Sequence, residues 1–301
     1  MPVSALDSST SQTAPALVPA DGGPSPRGRF MGRRSVGRRL GWGALLAALL
    51  VWSMRGAGVS PGTLTGAEAR RQTADFLSDF LRPELSAAYL GEVGRAALET
   101  LHISITGLVI GVAIGAPLCL LAASNLSSGA GSALPAWRRA LRFGPYWAAR
   151  GTLNVLRAIP ELVWALIFIT AVGLGPFAGA MAIGLHAGGL LGKLWAEQLE
   201  AVDPAPVEAV RLLGLGRLGV ASLAVVPQAR RNLISLGMYQ WECNVRAATI
   251  VGFVGAGGIG QQVDVSIRLF RYSETSTLIL TILLMVFAAD GLSTLVRRAM
   301  R

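Results

Sequence analysis

From Leu101 to Ala123 the chain contains no Asp, Glu, Lys or Arg. At about 1.5 Å per residue, a helix over this run crosses the roughly 30 Å hydrocarbon layer of a bilayer. In that layer only a helix or a closed barrel satisfies every backbone N–H and C=O, so the run predicts a membrane-spanning helix. Composition agrees: 52% of residues are hydrophobic, 15% are charged and the mean hydropathy is +0.52, whereas soluble domains carry roughly 25% charge. Residues 162 to 192 are also free of charge and are interrupted by Gly173-Leu174-Gly175-Pro176. The stretch is too long for one untilted helix and reads as two helices joined by a tight turn.

Three further spans are expected near Leu40–Met54, Asn232–Val254 and Thr275–Val296. They make about six in an all-α, polytopic membrane bundle. The short first segment follows Arg33-Arg34 and Arg38-Arg39, and is readable either as a retained span or as a cleaved export signal of twin-arginine type. The first thirty or so residues are rich in Pro, Ser, Ala and Gly without apolar periodicity, and are expected to be disordered. The expected organisation is a basic tail over 1–39, a first span with an outer segment over 40–96, and the main membrane domain over 97–301.

Arginine placement orients this bundle, because short cytoplasmic loops hold the excess of basic residues. Segments 27–39, 124–150, 193–231 and 297–301 together hold 18 basic residues against four acids. Segments 55–95 and 256–274 hold seven of each sign. Both termini are therefore expected in the cytoplasm, and the net charge of +10 mostly records topology. Arginines divided among four loops between apolar spans do not form a nucleic-acid-binding surface.

Several chemistries are not indicated. Cys119 and Cys243 fall inside predicted spans, which gives no disulfide framework. His102 and His186 have no Cys or carboxylate cluster at ligand spacing, so no metal site is expected. Gly255-Ala256-Gly257-Gly258-Ile259-Gly260 matches G-x-G-x-x-G but follows an apolar span rather than opening a βαβ unit. These glycines are expected to turn or break the chain at the outer face. There is no G-x-x-x-x-G-K-[ST] motif, and Lys193 is the only lysine. Gly107, Gly111 and Gly115, like Ala180, Gly184, Gly188 and Gly192, recur every four residues and predict close helix packing rather than a substrate role.

Two polar sets inside the spans are candidates for a translocation path or gate. Trp241, Glu242, Asn244 and Arg246 lie mid-helix, where a charge costs about 2.5–3.5 kcal/mol. Glu242 and Arg246 are four apart and are expected to pair on one face, in either a structural or a functional role. Arg157, Pro160 and Glu161 form the second set, with the proline expected to break its helix. His186 joins them as a candidate, although a satisfied buried polar group is the plainer reading.

Residues 207–227 read VEAVRLLGLGRLGVASLAVVP, preceded by Asp203-Pro204. Asp203 suits an N-cap, Pro204 the first turn and Gly214 a left-handed stop, which specifies a helix of about ten residues. The spacing of Glu208, Ala209, Gly214 and Pro227 resembles the EAA loop of ABC importer permeases. Residues 156–200 and QWECNVRAATIVGFVGAGGIG at 240–260 narrow the resemblance to the permease subunit of phosphonate ABC importers, over about residues 90–301. Val210 departs from it by replacing the second alanine of Glu-Ala-Ala. The methionine-importer permease shares the Arg-x-x-Pro, EAA-loop and Gly-rich elements, but is expected to lack the Trp-Glu-x-Asn-Val-Arg cluster.

The resemblance implies a type I permease fold in a bacterial inner membrane. It implies no cofactor or enzymatic activity in this chain, because a separate ABC ATPase subunit binds ATP and Mg. That partner docks on the loop 193–227, here containing Glu197, Glu200, Asp203, Glu208, Ala209, Gly214 and Pro227. A periplasmic binding protein delivers phosphonate or a related oxyanion, and the permease forms a homodimer. Competing accounts are a permease for methionine or phosphate, and a receptor-like or structural membrane protein without transport.

Overall fold

The computed structural model describes residues 33–58, 66–127 and 136–300. The chain divides into two units, 1–71 and 72–301. Among the described residues of the first unit, the main element is α1 (Arg33–Gly56). Of the tail expected to be disordered, 1–39, residues 1–32 lie outside the described residues, while 33–39 are helical and form the start of α1. The first predicted span falls on α1, but its charge-free part, 40–54, covers only about 22 Å at the rise of an α-helix. With arginines at both ends of that part, α1 is not among the helices both long and apolar enough to be candidate spans.

The elements that follow are α2 (Ala67–Phe80), α3 (Ala87–Ala122), α4 (Ser124–Ser127), α5 (Ala136–Ala158), α6 (Glu161–Val172) and α7 (Pro176–Glu200). After them come α8 (Pro204–Leu212), α9 (Arg217–Val220), a π-turn (Ala221–Val225) and α10 (Val226–Val251). A second π-turn (Gly252–Ala256), α11 (Gly258–Arg268) and α12 (Tyr272–Ala299) complete the order. Among the described residues α3, α7 and α12 are each long and apolar enough to span a membrane. Two bent pairs, 143–158 with α6 and 217–256 with α11, raise the number to five. The helix α3 begins at Ala87, so the expected boundary at 96/97 falls inside it; Glu92, Arg95 and Glu99 interrupt the apolar pattern but not the helix.

The centre of the bundle is the seam between α3 and α7, built by the two small-residue ridges. A Cβ at Gly107 would lie 2.9 Å from Ile183 Cγ2, one at Gly111 3.0 Å from Ala187 Cβ, and one at Gly115 3.0 Å from the Gly188 carbonyl. On the facing helix, Gly184 and Gly188 receive Ile110 and Ile114 in the same way. With little hydrophobic force between helices in lipid, close backbone approach and dispersion hold such a seam. Around it, Leu153, Leu191, Trp195, Leu199, Val207 and Val225 form a core at one end, and Ile103, Ile183, Val251 and Ala256 a second one further along.

Pro227 does not end a loop, as its spacing had suggested. It lies inside a helical run that starts at Arg217 and continues to the break at Gly255, whose φ of +96° is not helical. A proline deletes one helical hydrogen bond, and the preceding π-turn, where Val226 N–H bonds to the Ala221 carbonyl, absorbs the change in register.

Candidate translocation path and coupling ledge

Pro160 bends its span by 89° between α5 and α6. Having no N–H, the proline leaves the Leu156 carbonyl without its helical donor. The Trp164 indole N–H fills that place at 3.2 Å. Val163 N–H bonds to the Pro160 carbonyl at 3.0 Å instead of to Ile159, beside the ordinary helical bond from the Trp164 N–H at 3.2 Å, which leaves the Ile159 carbonyl free of a backbone donor. His186 Nδ1 on α7 meets it at 3.0 Å, so this nitrogen carries the proton and donates. His186 Nε2 stands 3.7 Å from Glu161 Oε2. Pro160, Glu161 and His186 are thus gathered at one point, and Arg157 sits at its edge with its Nε donating to Asn154 Oδ1 at 3.1 Å. The close approach of α5 to α7 here needs Gly189, where a Cβ would lie 2.6 Å from the Arg157 nitrogen.

The glycine-rich segment is the second break, a 57° bend between the helix 217–256 and α11. Gly255 and Gly257 take φ of +96° and +85°, a region in which a side chain is strained. The Gly175 N–H donates to the Gly255 carbonyl at 3.1 Å, so the two turns at this end brace each other. Thr100 Oγ1 on α3 accepts from the Ile259 N–H at 2.8 Å and thereby caps α11 from outside. A chain break is what the dinucleotide-like pattern builds.

Along α10 the polar cluster separates into three environments. Asn244 and Gln240, 1% and 3% exposed, face α3. They bond to each other at 2.9 Å, and Asn244 reaches the Ser104 carbonyl at 3.4 Å. Trp241 packs partly buried, its Nε1 without a hydrogen-bond partner among the described residues. Glu242 does not pair with Arg246, contrary to the expectation from spacing. Its Oε1 accepts from Arg297 Nη1 at 2.9 Å, joining α10 to α12, with Asp290 4.0 Å from Nη2 of the same arginine. The reason is direction: Glu242 faces α12, whereas Arg246 points out of the bundle on the exposed face of α10. Among the described residues Arg246 takes part in no ion pair, and its Nη2 meets only the Cys243 sulfur at 3.4 Å.

At the opposite end from the glycine turns, α8 forms a ledge. Asp203 caps it by accepting from the Ala205 N–H at 3.0 Å, and Gly214 closes it with φ +76°. Val207 plugs the helix into the core, and Arg211 donates to the Asn125 carbonyl. Outward stand Glu208, Ala209, Leu212 and Leu213, the two leucines 89% and 75% exposed. The other acids of this loop are spoken for. Glu200 binds Arg150 Nη2 at 2.6 Å and the Ser124 N–H at 2.7 Å, and Glu197 lies 3.8 Å from Lys193. Glu200 and Asp203 therefore hold the ledge in place, while Glu208 and Ala209 form its open surface.

An apolar bundle with two broken spans, polar groups set inside it and a short helix presented at one end defines a multi-pass membrane transport subunit. The chain belongs to the family of binding-protein-dependent transport system inner membrane components, whose family profile matches residues 129–301. It is 40% identical over 204 residues to the phosphite transport system permease protein PtxC of Stutzerimonas stutzeri, covering 68% of this chain and 70% of that one. The phosphate-import permease protein PhnE of Mycolicibacterium smegmatis is 38% identical over 67% of this chain and 36% of its own length. In fold, the chain is similar to the inward-facing MetNI methionine ABC transporter, with a TM-score of 0.61 at 19% identity over 72% of this chain and 100% of that chain. It is an inner-membrane permease component of the type I fold.

Proposed function

We propose that this chain is the membrane-spanning permease subunit of an ATP-driven importer for a small phosphorus oxyanion of the phosphite or phosphonate kind. The observation that carries the reading is the ledge: a capped short helix, pinned from behind by Val207 and Arg211, that shows two adjacent leucines to solvent. A large exposed apolar patch beside a polar rim marks a protein interface. The occupant is a separate ATPase subunit, which binds ATP and Mg, because the sequence holds no phosphate-binding loop of its own. In this reading the ledge and both termini are cytoplasmic, in line with the arginine bias. A periplasmic binding protein delivers cargo at the glycine-turn end, and two copies of the chain enclose the path.

The geometry supplies a transmission. The linker 213–216 joins the ledge to the helical run that begins at Arg217 and carries Asn244 and Arg246. Closure of the ATPase pushes the ledge, and the helix moves as one lever. Arg246 has no carboxylate partner among the described residues, so its planar fork is open to an oxyanion, which it can hold bidentately. The names of the phosphite and phosphate relatives support an anionic cargo of this size.

The test is uptake of phosphite, a phosphonate and phosphate into vesicles bearing the assembled complex. Arg246→Ala lowers uptake about tenfold to a hundredfold, the worth of one charge-assisted hydrogen bond, with assembly unchanged. Arg246→Lys keeps the charge but loses the fork and falls between. Unimpaired uptake in both variants removes Arg246 from the path. A cognate binding protein that holds none of these anions removes the cargo assignment.

A further inference from the structure

The 89° bend at Pro160 is satisfied from two sides, and neither donor is a backbone group of the usual ladder. A proline break leaves carbonyls that must be buried in protein with a partner or face water. Here two of the carbonyls at the break, those of Leu156 and Ile159, each receive one side-chain N–H. Leu156 takes the Trp164 indole at 3.2 Å, from the far limb of the same bend. Ile159 takes the His186 Nδ1–H at 3.0 Å, from the neighbouring helix α7.

We infer that Trp164 and His186 are a two-point latch that holds α5 and α6 in the bent arrangement, with His186 acting through its Nδ1–H bond to the Ile159 carbonyl rather than through Glu161. The nearer of the histidine's two contacts is the one to the backbone. Its Nδ1 lies at hydrogen-bond distance from the Ile159 carbonyl, 3.0 Å, whereas its Nε2 is 3.7 Å from Glu161, longer than a hydrogen bond. The two donors also act on different objects. Trp164 ties α6 back onto the end of α5, which fixes the angle of the break. His186 ties the vertex to α7, which fixes where the break sits in the bundle. Gly189, three residues after His186 on the same helix, lets α5 come close enough for this contact. Any motion that straightens the α5–α6 span must open both bonds, so both are positioning residues for a conformational step.

This deepens the transport reading of the same site, but the test needs neither cargo nor nucleotide, so its failure leaves that reading standing. The full chain is placed in lipid nanodiscs with Cys119→Ala and Cys243→Ala, and spin labels are attached at Val155→Cys and Val172→Cys. Both label positions are exposed, one on each limb. The expected result is one narrow distance peak in the parent and broad distributions in His186→Phe and Trp164→Phe, each of which keeps an aromatic ring but removes the N–H. His186→Asn, whose amide N–H can replace Nδ1–H, restores the narrow peak, and Glu161→Gln leaves it unchanged. An unaltered peak in either phenylalanine variant overturns the inference. So does broadening in His186→Asn or Glu161→Gln as large as that in His186→Phe.

Discussion

Glu242 is a carboxylate with a side chain only 12% exposed, and Arg297 at 2.9 Å is what makes that burial tolerable. Removing one member of a buried pair leaves an uncompensated charge and costs about 3–5 kcal/mol, while replacing both by apolar groups of similar size is close to neutral. We expect Glu242→Ala to lower the thermal midpoint of the detergent-solubilised chain clearly more than the double variant Glu242→Leu/Arg297→Leu. Equal losses in the two would mean that packing, not charge, joins α10 to α12. Arg246 shows the complementary case. It lies one turn from a carboxylate and is still unpaired by it, because spacing along a helix fixes which residues share a face and says nothing about which neighbouring helix that face meets.

At the scale of elements, the glycine ridges state the strongest packing requirement. A Cβ at Gly115 meets backbone, the Gly188 carbonyl and the Gly192 nitrogen, both at 3.0 Å, so the helices themselves must separate to admit a side chain. Gly151 on α5 has nothing within 4 Å of its Cβ position. Gly115→Val should therefore cost about 1–3 kcal/mol through overpacking. Gly151→Ala should stabilise by up to about 1 kcal/mol through helix propensity, and a melt of each variant reads the difference. These ridges were legible because their four-residue period is itself the packing geometry. The glycine turns and the proline break were legible for the same local reason. What the sequence did not reveal is how each break is satisfied: Thr100 lies 159 residues from the N–H it caps and His186 lies 27 residues from its carbonyl. Arg150 and Arg297 were missed on the same ground, since each gains its role from a helix that only the fold brings near; Trp164 and Gln240 were missed although their partners, Leu156 and Asn244, are close in sequence. The helix of α8 was specified by its own Asp203, Pro204 and Gly214, whereas the inward turn of Glu200 needed Arg150 on another helix to be seen.

For the whole molecule, the linker at Gly214 joins the exposed ledge to the helix that carries Arg246. With φ at +76° and open space around it, a β-branched residue there is strained by the backbone alone. Gly214→Val should reorient the ledge, so that the ATPase subunit no longer co-purifies while the melting of the bundle stays within about 1 kcal/mol of the parent. Normal co-purification would place the docking surface elsewhere. The adjoining pair Leu212 and Leu213, 89% and 75% exposed, bears on the lifetime of the chain itself. Two large apolar side chains held side by side in water are the kind of surface that chaperones and proteases recognise. A copy synthesised without its companion subunit advertises that it is orphaned, and matched production of the two polypeptides becomes a condition of its survival.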